Sequence, residues 1–203
     1  VVKSVAAKPL YLDHNATSPL RPEALAAMVS ALGQAANPSS VHAAGRRARA
    51  VVEDARTVVA QLVGAPSPDV VFTSGGTEAN ALALASAANW ATRLIIGATE
   101  HEAVAANAAA SGLPVEIWPV DANGVADLDW LKGRLAELSA HERPLVALML
   151  ANNETGVIQP VAEAAALVHS ANGWLHVDAV QAAGKIAINM MALGADTLAL
   201  SAH

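Results

Sequence analysis

The sequence predicts an α/β fold, a mainly parallel sheet flanked by helices, from three observations. From residue 70 onward, short apolar runs of strand length alternate with alanine-rich stretches of helical length. The run at 145–150 is apolar at every position, as in a strand covered on both faces. Polar clusters stand just after the strand-like runs, where open parallel sheets bind ligands.

Taken in order, the first dozen residues read as an arm closing on a short strand at 10–12, and the arm is bounded at residue 15. Residues 16–203 read as one large domain. Arg21-Pro22-Glu23 opens a helix, with proline suited to its first turn, and Gly33 ends it. Asn37-Pro38-Ser39-Ser40 is a turn before a long helix at 41–63, stopped by Gly64. Strands are then expected at 70–73, 93–97, 115–119, 145–150, 174–177 and 197–200. Helices are expected at 77–90, 101–110, 128–138 and 161–171. Such alternation implies right-handed crossovers and a sheet covered on both faces.

Composition narrows the function classes. A chain of 203 residues can bury a substantial core. Its longest apolar run, 145–151, is far below the roughly 20 residues of a membrane helix. The first residues carry neither the charged start nor the apolar stretch of a signal peptide, so a soluble, cytoplasmic protein without membrane partners is expected. A net charge of −6 argues against nucleic acid as a partner. Arg46, Arg47 and Arg49 are followed at once by Glu53 and Asp54 and read as a solvated helix face. With no cysteine, thiol catalysis, disulfides and thiolate metal sites are excluded within this stretch.

Four segments carry candidate chemistry. Thr73-Ser74-Gly75-Gly76-Thr77-Glu78 joins a strand to a helix. It reads either as a phosphate cup, with free N–H groups at a helix start, or as an ordinary threonine-capped turn. In His176-Val177-Asp178, alternation sets His176 and Asp178 on one face, opposite Val177. Asp178 could pair with a protonated pyridine nitrogen or cap the next segment. His101, in Thr99-Glu100-His101-Glu102, could stack on a flat ring and move protons, or cap a helix. Asn152-Asn153-Glu154-Thr155-Gly156 could orient a ligand or satisfy its own loop. Gln181, Ser201 and His203 complete the set, and no His-Glu-x-x-His zinc motif is present. Lys185 lies nearby in sequence but outside any motif, and is given no role.

Together with Tyr11-Leu12-Asp13-His14-Asn15-Ala16-Thr17 and Asn37-Pro38-Ser39-Ser40-Val41-His42, these segments resemble the aminotransferase class V family in order and spacing across essentially the whole chain. The likeness is nearest to the nitrogen-fixation-type and housekeeping iron–sulfur cysteine desulfurases. It implies the large domain of a fold type I enzyme that uses pyridoxal 5'-phosphate. By resemblance, Gly76, Thr77, Ser201 and His203 bind the cofactor phosphate, Asp178 holds the pyridine nitrogen, and Gln181 bonds the phenolic oxygen. Asn153 contacts the cofactor or the substrate carboxylate. His101, the one catalytic residue assigned here, stacks on the ring and assists proton transfer. No metal is implied.

The implied reaction converts L-cysteine to L-alanine and passes sulfur to an enzyme cysteine as a persulfide, for a scaffold or other sulfur-acceptor protein. The implied assembly is a homodimer. The resemblance also implies a cofactor-binding lysine at position 204, the persulfide cysteine further on, and a small C-terminal domain. None of these is in the present sequence, so this stretch alone is expected to be unstable and unable to turn over. Three other readings are a selenocysteine lyase or related lyase, a non-catalytic fragment or scaffold, and an iron site built from His176, Asp178 and His203.

Overall fold

The computed structural model describes residues 10–34 and 36–202. Five parallel strands form one sheet in the order β2-β1-β3-β4-β5. They are β1 (Arg93–Gly97), β2 (Val115–Trp118), β3 (Pro144–Ala147), β4 (Trp174–Asp178) and β5 (Thr197–Ala199). The helices are α1 (Pro22–Leu32), α2 (Ala43–Val63), α3 (Gly76–Ser86), α4 (Glu102–Ala110), α5 (Leu128–Ala136), α6 (Val161–Ser170) and the short α7 (Met190–Leu193).

Strand alternation explains the two cores. Ile95, Val146, Leu175 and Val177 point to one face, where they meet Leu131 and Leu135 of α5 and Val161, Ala164 and Val168 of α6. Leu94, Ile96, Leu145 and Ala147 point to the other, against Leu84 of α3 and Val104 and Ala108 of α4. The chain runs from β1 outward to β2, then back across to β3. The carboxyl ends of β1 and β3 therefore flank a topological switch point, the place where a doubly wound sheet opens a crevice.

Most expected elements are present with shifted ends. α2 ends where expected, at a left-handed Gly64 with φ of 68°. α3 is shorter than expected, giving way at Ala87–Asn89 to a tighter 3-10 turn. Beyond β3 the chain stays beside β4, with Leu148 and Leu150 donating to the carbonyls of His176 and Asp178. α7 was not foreseen, being only four residues long.

Two expectations fail. Residues 10–12 are exposed and form no strand, since among the described residues no neighbour supplies a ladder. Residues 70–73 are likewise not a strand: the Val70 carbonyl accepts from the Arg56 guanidinium, whose Cζ lies 5.0 Å from the Phe72 ring centroid. Among the described residues, no helix is long and apolar enough to cross a membrane.

Candidate active site

A cavity of about 470 Å³ opens at the carboxyl ends of the strands. Its walls come from the start of α3, the loops after β1, β3 and β4, the segment after β5, and the Asp13–Ala16 stretch. Gly76, Thr77, His101, Asn153, Asp178, Gln181 and Ser201, spread over 126 positions, all line it. His203 lies outside the described residues.

Gly75 and Gly76 bring α3 into this wall without a side-chain cap on its first N–H groups. Glu78 closes the turn from behind, accepting from the Ser74 N–H at 2.6 Å, and the Ser74 hydroxyl first, then this N–H, hold its carboxyl below the usual range. Thr73 donates to the Gly75 carbonyl at 3.0 Å. Thr77 therefore does not cap the helix, and the threonine-capped turn gives way to a helix start open to the cavity. A Cβ on Gly76 would lie 2.8 Å from Val180 Cγ2 and 3.6 Å from Ser201 Cβ, so only glycine fits there without displacement.

Asp178 ends β4 and is 5% exposed. Oδ1 accepts from the Val180 N–H at 3.0 Å, so the capping role is real. Oδ2 accepts from Asn80 Nδ2 at 2.8 Å. Each oxygen keeps a second lone pair for the cavity. His176 shares this face, as alternation predicts, but is fully buried behind the cavity. Its Nε2 lies 2.9 Å from Asn80 Oδ1 and its Nδ1 2.9 Å from Thr197 Oγ1. Both nitrogens are engaged, so His176 has no lone pair to give a metal and the iron reading fails on geometry.

His101 is the N-cap of α4, its Nδ1 accepting from the Ala103 N–H at 3.0 Å. That bond fixes the neutral ring's proton on Nε2, and the exposed ring still reaches the cavity wall. Next to it, Glu100 turns inward. Its Oε1 accepts from the Met149 N–H, while Oε2 is buried without a partner. Burial, and secondarily the nearby Asp178 charge, push this carboxyl up to about 8.

Asn152 and Asn153 divide the two readings of their loop. Asn152 Oδ1 accepts from the N–H groups of Glu154 and Thr155 and so holds the loop together. Asn153 lines the cavity instead. Sequence reasoning missed Asn80, Asn15 and Lys185. Asn80 had a signal: an amide inside an apolar helix, one turn after Thr77. Lys185 was set aside, yet its Nζ lies 2.5 Å from Gln181 Oε1 and 2.8 Å from Asn15 Oδ1.

The sequence profile of the aminotransferase class-V family matches residues 10–203. The chain is 38% identical over 202 residues to the cysteine desulfurase IscS of Dictyoglomus turgidum, covering 96% of this chain and 50% of that one. It is 43% identical over 203 residues to a cysteine desulfurase of Cereibacter sphaeroides, covering 96% and 51% respectively. A NifS-like protein from Rickettsia africae superposes with a TM-score of 0.87 at 33% identity, over 95% of this chain and 54% of that chain. The chain thus spans about half the length of the curated relatives it matches. Its parallel sheet with helices on both faces is the large-domain architecture of fold type I pyridoxal-phosphate enzymes. On the match across residues 10–203, the chain belongs to the aminotransferase class-V family.

Proposed function

We propose that residues 16–203 are the cofactor-binding large domain of a cysteine desulfurase, with residues 1–15 as its arm. The carrying observation is the shared cavity. A buried carboxylate at the end of β4 and an uncapped helix start with Thr77 and Ser201 face one volume of about 470 Å³. That donor set fits pyridoxal phosphate. The α3 N–H groups, Thr77 and Ser201 suit its phosphate, with His203 assigned there by resemblance alone. Asp178 suits a protonated ring nitrogen, and Gln181 suits the phenolic oxygen. Asn153 suits a carboxylate of the bound substrate. When bound, the cofactor supplies an electron sink for negative charge at the substrate's α-carbon.

This chain's own residues then bind, orient and move protons. Asp178, through the lone pairs it keeps for the cavity, holds a proton on its cationic partner. His101, with its hydrogen on Nε2, acts there as a donor, and it takes up a substrate proton only in the other tautomer, with Nε2 free and the Ala103 N–H bond given up. Overall, the C–S bond of L-cysteine breaks and the carbon skeleton leaves as L-alanine. The sulfur becomes the outer atom of a persulfide on an enzyme cysteine, which this stretch does not contain. A sulfur-acceptor or scaffold protein takes it from there, and the enzyme works as a homodimer.

The test uses the full natural protein. After borohydride reduction, its denatured mass should rise by one reduced pyridoxal-phosphate group. With L-cysteine it should release L-alanine and, with thiol present, sulfide in equal amounts. Turnover of L-selenocysteine alone would move the assignment to a selenocysteine lyase. Absence of any adduct would reduce it to a non-catalytic relative.

A further inference from the structure

Behind Asp178 runs a buried chain of hydrogen bonds that the proposed chemistry does not use. Asn80 is 1% exposed and bridges two side chains on β4, donating to Asp178 Oδ2 at 2.8 Å and facing His176 Nε2 at 2.9 Å through Oδ1. His176 and Thr197 are register partners on β4 and β5, and their side chains meet at 2.9 Å.

The polarity of this chain is determined. An amide has one donating and one accepting end. A carboxylate only accepts, so Asn80 must turn Nδ2 toward Asp178 and Oδ1 toward His176. His176 must therefore carry its hydrogen on Nε2. Burial keeps the ring neutral by pulling its pKa down to about 4, so Nδ1 is an acceptor and the Thr197 hydroxyl donates to it. Reversing any one bond reverses them all and sets the Asn80 oxygen against the Asp178 carboxylate.

We propose that Asn80, His176 and Thr197 are positioning residues that fix the Asp178 carboxylate from behind and aim its free lone pairs at a cationic ring nitrogen. This rests on the reading that pyridoxal phosphate binds in the cavity. It goes beyond that reading by assigning a role to three residues to which that reading gives none, of which Asn80 also lines the cavity. A purely structural network would need only satisfied polar groups. A positioning network must also change the cofactor's own proton affinity when its polarity is lost.

The experiment uses the full natural protein, stripped of cofactor and titrated with pyridoxal phosphate carrying a labelled ring nitrogen. Calorimetry reads the affinity, and nitrogen NMR reads the pH at which the ring nitrogen loses its proton. Asn80→Leu should bind about tenfold or more weakly, as expected for losing a charge-assisted hydrogen bond, and the ring should titrate about one pH unit lower. Thr197→Val keeps the shape but removes the hydroxyl, and should shift both readouts in the same direction by about threefold. Thr197→Ser should restore both. A folded Asn80→Leu variant with unchanged affinity and ring titration overturns the proposal. If Asn80→Leu does not fold, the Thr197 pair decides: valine and serine variants alike in both readouts overturn it. Wild-type protein that binds no pyridoxal phosphate overturns this proposal and the reading beneath it together, whereas the other outcomes strike the proposal alone.

Discussion

Gln181 Nε2 donates to the Asn15 main-chain carbonyl at 2.8 Å, joining residues 166 positions apart at the mouth of the cavity. Asn15 in turn donates from Nδ2 to the Asn153 carbonyl at 2.7 Å and accepts from Lys185 at 2.8 Å. One asparagine thus ties the loops after β3 and β4 to the segment before α1. Asn15→Ala removes the two side-chain bonds and leaves the main-chain one. Amide exchange across residues 13–17 should speed up, while global stability should move by no more than about 0.5 kcal/mol, because the site is exposed. Exchange unchanged in that segment would mean the side chain holds nothing there.

Gly76 offers a test in which local and tertiary effects oppose each other. At the first position of α3, alanine should help helix formation by up to about 1 kcal/mol. Its Cβ would nevertheless sit 2.8 Å from Val180 Cγ2. The clash should win: Gly76→Ala should destabilise by about 1–3 kcal/mol and weaken phosphate binding. Val180→Ala in the same chain should recover most of the stability. A double variant no better than Gly76→Ala would show that the valine is not the obstacle.

The sheet was legible in the sequence because its strands are short, largely apolar runs between turn residues, as at 94–97 and 145–148. Residues 70–73 misled because β propensity describes a chain, whereas a strand needs a ladder partner. The cavity-lining residues were legible where they stand at or just after strand ends, as Asp178, His101 and Asn153 do, since the topology dictates that place. Lys185 was not, because nothing local distinguishes it, and the local signal of Asn80, an amide inside an apolar helix, does not name its partners. Asn80 matters only once β4 packs on α3, and Lys185 only once Asn15 meets the loop after β4.

The central sheet should carry much of the stability. Leu175 on β4 is 0% exposed and packs among side chains of the α5–α6 face. Leu175→Ala should cost about 2–5 kcal/mol, the range for deleting a well-packed core leucine. Urea unfolding of the full natural protein would read this as a lower midpoint with little change in slope. A loss below about 1 kcal/mol would mean the core collapses around the gap.

Glu100 and His176 give stability opposing pH slopes. Glu100 is raised from 4.5 to about 8, so the folded protein binds its proton more tightly, and stability falls as pH rises between those values. His176 is lowered from 6.5 to about 4, so the unfolded chain binds its proton more tightly, and stability falls as pH drops between those values. From 4.5 to 6.5 the two slopes cancel, leaving the Glu100 loss visible alone between 6.5 and about 8. Glu100→Gln keeps an oxygen for the Met149 N–H and removes the ionisation. The variant should therefore be flat from 6.5 to 8, where wild type declines, and should gain on the order of a few kcal/mol at the alkaline end. It should also uncover the His176 slope below 6.5, which wild type masks. Denaturant unfolding across this range would check both limbs, and a variant that still loses stability above 6.5 would show that Glu100 is not the titrating group.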